Sequence, residues 1–255
     1  MTRALPVAVT HNARRWLLGC LCSLVIATSA ASESLDIAIY GATGKLGSHA
    51  VTEALERGHR VTAVSRRPEE VSAEHERLAV VRGDLLDGES VAETITGKDV
   101  VIVSVRGVIG DSGAPESALQ YLAAETLVDA ISRMGEDGPR LIHVGGSGSL
   151  EIEPGVLFAE KLPKIVLPKG LEVEILGQIL ALEFLRKVDD VKWTYVTPPK
   201  SFTNGPRTGS YRIGGDRALE DERGRTRLSR ADFAVALIDE AEQAAHVRER
   251  ISVAY

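Results

Sequence analysis

Ile37-Ala38-Ile39-Tyr40-Gly41-Ala42-Thr43-Gly44-Lys45-Leu46-Gly47 decides how this chain folds. An apolar run leads into three glycines at the spacing G-x-x-G-x-x-G, and a helical pattern follows at once. Gly41 is placed for the tight turn off a strand, where a Cβ would be strained. Gly44 lets a pyrophosphate approach the backbone, and Gly47 lets the helix pack close to the sheet. The free N–H groups and positive end of that helix suit phosphates. A bare glycine triplet is a weak signal. This one has a strand before it, a helix after it and a second strand at 60–65, so the reading is a dinucleotide site.

Outward from that stretch, strand and helix signals alternate, as in a parallel sheet covered on both faces. Strands are predicted at 35–40, 61–65, 78–82, 99–104, 140–144 and 191–196. Helices are predicted at 45–57, around 90–96, and at 115–134 and 171–188. Val100-Val101-Ile102-Val103 is apolar throughout, which fits a strand buried on both faces. Past residue 200 the style changes. A loop bearing glycine and proline holds short strands near 210–213 and 226–228, then a helix at 230–244 capped by Ser229 and a closing strand at 250–254. The expected fold is α/β, a doubly wound parallel sheet of Rossmann type, with a small C-terminal lobe on the substrate side. No linker separates that lobe, so residues 32–255 are expected to form a single NAD(P)-binding domain.

Residues 1–31 read as a signal peptide. Arg3, Arg14 and Arg15 give a positive start, 16–27 is an apolar stretch too short to span a bilayer comfortably, and Thr28-Ser29-Ala30-Ala31 offers small residues for cleavage. The expectation is an exported, periplasmic protein with no stable membrane insertion after cleavage. The alternatives are an uncleaved anchor, or a misread start and a cytoplasmic protein. Arg14-Arg15-Trp16-Leu17-Leu18 is similar to a twin-arginine signal, which carries folded proteins. An ordinary signal or a lipobox ending at Cys20 are the other readings. Both cysteines, Cys20 and Cys22, lie in this leader, so the mature chain has no disulfide, thiol catalyst or cysteine metal site, and no metal is expected.

Composition bounds the function. Hydrophobic residues make up 44% and charged residues 26%, ordinary for a globular protein. The net charge of −6 becomes about −9 without the three leader arginines, and there is no basic stripe, so nucleic acid is not an expected partner.

One corner chooses the cofactor. After the second strand, an acidic residue would bind the ribose hydroxyls of NAD, and a basic one the 2′-phosphate of NADP. The chain reads Val64-Ser65-Arg66-Arg67-Pro68, with no acid until Glu69, so NADP is favoured over NAD and Arg66 is its candidate partner. Gly83-Asp84-Leu85 follows the third strand, where Asp84 either meets the adenine amine or caps a turn. Ser104 ends the fourth strand near the path of the ribose and nicotinamide, and Pro198-Pro199 shapes the loop after the sixth.

These segments resemble the short-chain dehydrogenase/reductase superfamily, in its atypical branch of NmrA-like proteins and NADH-flavin reductases. The resemblance is carried by Gly41 to Gly47, the Arg66 corner, Gly83-Asp84-Leu85, and His143-Val144-Gly145-Gly146-Ser147-Gly148-Ser149-Leu150. Gly209 to Asp216 and Ser229 to Glu240 add to it, and it covers about 35–255. It implies a cofactor set of Gly41, Thr43, Gly44, Lys45, Leu46, Gly47, Arg66, Asp84, Leu85, Ser104 and Pro198. It also implies a substrate-facing serine, for which Ser147 is the first choice. His143, set among apolar residues, reads as a packed histidine.

The chain departs from the superfamily at its proton relay, a tyrosine with a lysine four positions later. Tyr40, Tyr121, Tyr195 and Tyr211 are followed at that spacing by Gly44, Glu125, Pro199 and Gly215. Carbonyl reduction needs a proton donor for the developing alkoxide, whereas solvent can protonate a reduced flavin or quinone. The expected activity is therefore NADPH-dependent reduction of a small planar redox acceptor. A non-catalytic NADP-binding sensor or assembly protein, and an epimerase or dehydratase of nucleotide sugars, are the alternatives. The long stretch with Lys161, Lys164 and Lys169 is expected to be a lid, with a membrane or partner contact as the alternative. Glu172, Glu174 and Gln178 either face the pocket from their helix or form a solvated face, the latter being preferred.

Overall fold

The computed structural model describes residues 33–163 and 167–255; the leader reading, and Lys164 of the lid reading, lie outside them. Residues 33–255 make one compact unit. Its first half runs β1 (Asp36–Tyr40), α1 (Gly47–Glu56), β2 (Arg60–Ser65), β3 (Leu78–Arg82), α2 (Gly88–Ile95), β4 (Val100–Val103), α3 (Leu119–Met134) and β5 (Arg140–Val144). A short hairpin follows, β6 (Glu151–Glu153) and β7 (Val156–Leu157), then α4 (Lys169–Leu185) and β8 (Trp193–Thr197). The chain closes with β9 (Ser201–Thr203), β10 (Arg212–Gly214), β11 (Arg227–Ser229), α5 (Arg230–Gln243) and β12 (Glu249–Ala254).

Eight strands form the main sheet in the order β10-β12-β8-β5-β4-β1-β2-β3. All neighbours are parallel except β10, which runs against β12. From β1 the chain winds outward through β2 and β3, then crosses back to β4 on the other side of β1. The order therefore reverses between β1 and β4, and a crevice opens there at the carboxyl ends of the strands.

Side-chain alternation splits the core in two. Ile37, Ile39, Val100 and Ile102 pack with Ala50, Ala54, Phe233 and Leu237 from α1 and α5. Ala38, Tyr40, Val101 and Val103 face the other way, onto Val91 and Ile95 of α2, Leu127 and Ile131 of α3, and Leu182 and Leu185 of α4. A strand must be apolar at every position to feed both layers, which is why β4 reads as a continuous apolar run.

The C-terminal part is less of a separate lobe than the sequence suggested. β12 has five buried residues of six and pairs with β8, so it extends the main sheet, and β10 pairs with β12 in turn. Only β9 and β11 stand apart, as a two-stranded parallel sheet. Asp232, fully buried at the start of α5, ties this region together. It accepts the N–H groups of Thr208 and Gly209 and the hydroxyls of Thr208 and Tyr255. Arg250 is a second clasp, donating to Thr197 Oγ1, the Asp216 carboxylate and the Ser149 carbonyl.

Candidate functional site

The three glycines are not equivalent. Gly41 has φ +79°, and a Cβ on it would strike the Ser104 carbonyl at the end of β4. A Cβ on Gly47 would strike the Gly41 carbonyl, so the start of α1 rests on the turn itself. Gly44 has an ordinary φ, and a Cβ there meets only the Gly41 oxygen, at 3.0 Å. Gly41 and Gly44 line the crevice, and Gly47 packs against the turn that they form.

No side chain caps α1, and its first turn holds no acidic residue. Among the described residues, the N–H groups of Lys45 and Leu46 have no backbone acceptor. Unsatisfied donors at a helix start with no carboxylate nearby fit a phosphate.

The crevice extends from this turn into a cleft of about 690 Å³. Thr43, Lys45, Leu46, Arg66, Asp84, Leu85, Ser104, Ser147 and Pro198 all line it. The Arg66 corner resolves further. The Arg67 guanidinium lies 2.5 Å from Glu70, and Arg82 donates to the Arg66 carbonyl at 2.8 Å. Arg66 itself makes no ion pair among the described residues, so its charge is free for a ligand. Asp84 accepts the Leu86 N–H at 3.0 Å and caps its turn. Leu85 packs into the core beneath and offers an apolar wall.

The two serines after β5 separate. Ser147 is half-buried on the cleft wall. Ser149 is buried, donates to the Gly146 carbonyl and has its own carbonyl held by Arg250. His143 lies behind the wall. It is 1% exposed, its Nε2 sits 2.9 Å from the Gln120 carbonyl, and its ring stacks on Tyr195 at 5.3 Å. Burial pushes its pKa down to about 4, so it is neutral in the folded protein.

That burial has a measurable consequence. The unfolded chain takes up this proton near pH 6.5 and the folded chain only near 4, so folding loses free energy as pH falls through that window. The loss is roughly 3 kcal/mol, from about 1.4 kcal/mol per pKa unit. Urea unfolding of His143→Leu between pH 7 and 4 should lack this slope; an unchanged slope would place the sensitivity elsewhere.

Glu174 and Gln178 of α4 line the cleft, the less favoured of the two expectations for them, whereas Glu172 is not among its lining residues. Their separation of four puts both on one side of the helix. Glu174 accepts Arg106 at 2.7 Å, bridging α4 to the loop after β4. A Cβ on Gly146 would overlap the Gln178 amide, so the glycine makes room for that side chain, which has no hydrogen-bond partner among the described residues. Phe158, Lys200, Phe202 and Arg230 also line the cleft and carried no sequence signal read as functional.

No activated phenol faces this cleft. Burial holds Tyr40 up at about 12 and raises Tyr195 further, and the Glu125 carboxylate raises Tyr121 to about 12. Burial and Asp239 likewise raise Tyr211. Among the described residues there is also no cluster able to hold a metal ion.

The sequence pattern of the NAD(P)H-binding family matches residues 41–244. The uncharacterized protein YwnB of Bacillus subtilis is 31% identical, over 86% of this chain and 98% of its own. A "putative epimerase" from Bacteroides thetaiotaomicron is 34% identical with a TM-score of 0.75, covering 88% of this chain and 98% of that one. A "putative NADH-flavin reductase" from Streptococcus pneumoniae is 29% identical with a TM-score of 0.69, covering 87% and 99%. The chain belongs to the NAD(P)H-binding family.

Proposed function

We propose that this protein is an NADPH-dependent reductase that passes hydride to a planar acceptor of flavin or quinone type. The observation that carries the reading is a nucleotide cleft with a free arginine at the 2′-phosphate corner and no activated tyrosine on its acceptor side. When bound, NADPH supplies the hydride, and solvent supplies the proton that completes a reduced flavin or quinone. Gly41, Gly44 and the start of α1 hold the pyrophosphate, and Arg66 holds the 2′-phosphate. Leu85 covers the adenine, while Ser104, Ser147 and Pro198 bound the nicotinamide half. A sugar or alcohol substrate would call on the tyrosine–lysine relay at its oxygen, and Tyr40, Tyr121, Tyr195 and Tyr211 all lack a lysine four positions later.

Stopped-flow absorbance at 340 nm tests this. The protein from Ser32 onward is mixed with NADPH and a panel of flavins and quinones. Fast oxidation that saturates with one acceptor class is the expected result. Tight NADPH binding without oxidation by any acceptor would overturn it in favour of a sensor. Residues 1–31 support export, and carriage of a folded, cofactor-loaded protein would explain how NADPH leaves the cytoplasm. N-terminal sequencing together with cell fractionation checks that part; an intact Met1 would rule out cleavage, and recovery of the protein in the cytoplasm would rule out export.

A further inference from the structure

On the reductase reading, other residues of the cleft already account for the cofactor's anions. Its pyrophosphate belongs at the turn after β1 and its 2′-phosphate at the end of β2, and its nicotinamide end carries no anion. Yet a second pair of cations lines the same cleft, from segments past β8. Lys200 and Arg230 both line the cleft there and both are half-buried.

The small β9–β11 sheet builds this pair. Phe202 pairs with Leu228 and Thr203 with Ser229, so Arg230 emerges at the end of β11 beside β9. Lys200 immediately precedes β9 and Phe202 lies within it, and both line the cleft. Arg230 sits over the Phe202 ring at 5.4 Å and donates to Asn204. Lys200 sits over the Phe158 ring at 5.1 Å. Phe202 is fixed from below by an edge-to-face contact with the fully buried Phe233.

The charges are only lightly compensated. Arg230's polar partner is a neutral amide. Lys200 has Glu220 at 3.4 Å, a carboxylate half exposed to water. The cleft's own carboxylates are used elsewhere, Asp84 in its turn and Glu174 on Arg106. Two cations seated on two aromatic rings suit a ligand with a flat ring and an anionic tail.

We propose that Lys200 and Arg230 form an anion subsite for the acceptor, selecting a planar redox ring that bears a phosphate, such as flavin mononucleotide, over an uncharged ring such as riboflavin. This rests on the reductase reading, but binding tests it separately.

Flavin fluorescence quenching is measured with the NADP⁺-saturated protein, for flavin mononucleotide and for riboflavin. The phosphorylated flavin should bind about tenfold more tightly or better, from charged hydrogen bonds to its phosphate. Its affinity should fall with added salt while that of riboflavin stays flat. In Lys200→Gln/Arg230→Gln the two flavins should bind alike, riboflavin as before, with KM for NADPH unchanged. Equal binding of the two flavins by the wild-type protein would overturn the proposal. A rise in KM for NADPH in the double variant, with flavin discrimination intact, would reassign the cations to the cofactor and overturn it as well. Discrimination in binding without NADPH oxidation would refute the reductase reading and leave the subsite standing.

Discussion

Gly44→Val should abolish binding of NADPH and NADH alike while the protein stays folded. Valine at this position has no positive φ to adopt, and its Cβ meets only the Gly41 oxygen at 3.0 Å. The cost to the fold is therefore a shift of a few tenths of an ångström. The cost to binding is far larger, because the branched side chain fills the space above the turn where the pyrophosphate must approach. An affinity loss above roughly 100-fold is expected, since a displaced pyrophosphate loses several charge-assisted hydrogen bonds of about 1.5–3 kcal/mol each. Titration of NADPH fluorescence, with circular dichroism as the fold control, measures both. Gly41→Val and Gly47→Val supply the contrast, since their Cβ atoms collide with backbone and those variants should fail to fold. Nucleotide binding retained by Gly44→Val would refute the assignment of this turn.

The sheet and its cofactor end were legible because both rest on local rules. A strand buried on two faces must be apolar throughout, as β4 is, and a turn that presses on backbone must be glycine, as Gly41 and Gly47 are. The Arg66 corner follows from its position after β2. The acceptor side was not legible, because its residues meet only through tertiary packing. Phe158, Lys200, Phe202 and Arg230 come from three separate segments, each unremarkable by itself. For Glu174 and Gln178 the sequence favoured a solvated face over the pocket, because polar residues four apart on a helix are usually solvated. Their cleft position depends on Gly146 giving way to the Gln178 amide and on Arg106 arriving from another loop. The strand β9 was missed because three residues, Ser201 to Thr203, give too short a period to recognise. β12 read as a closing strand, but nothing local to it says that it joins the main sheet, since that depends on β8 offering it an edge.

Arg66→Ala should separate the two nicotinamide cofactors. The 2′-phosphate is the only group by which NADPH differs from NADH, and a guanidinium without a carboxylate partner stands at that corner. Removing a charged donor from a phosphate costs about 1.5–3 kcal/mol, or roughly 10- to 100-fold in NADPH affinity. NADH, which offers only hydroxyls there, should change by less than about twofold, within the effect of a distant surface charge. Arg67→Ala is the internal control. Its guanidinium is already committed to Glu70, so the loss for NADPH should be small. The corner keeps its shape in Arg66→Ala, because Arg82 binds the backbone carbonyl of residue 66 and Ser65 Oγ accepts the Arg67 N–H, neither of which needs the arginine side chain. Equal losses for NADPH and NADH would mean that Arg66 acts on the shared part of the nucleotide. A large loss confined to Arg67→Ala would move the phosphate site to its neighbour and require the Glu70 pair to open on binding.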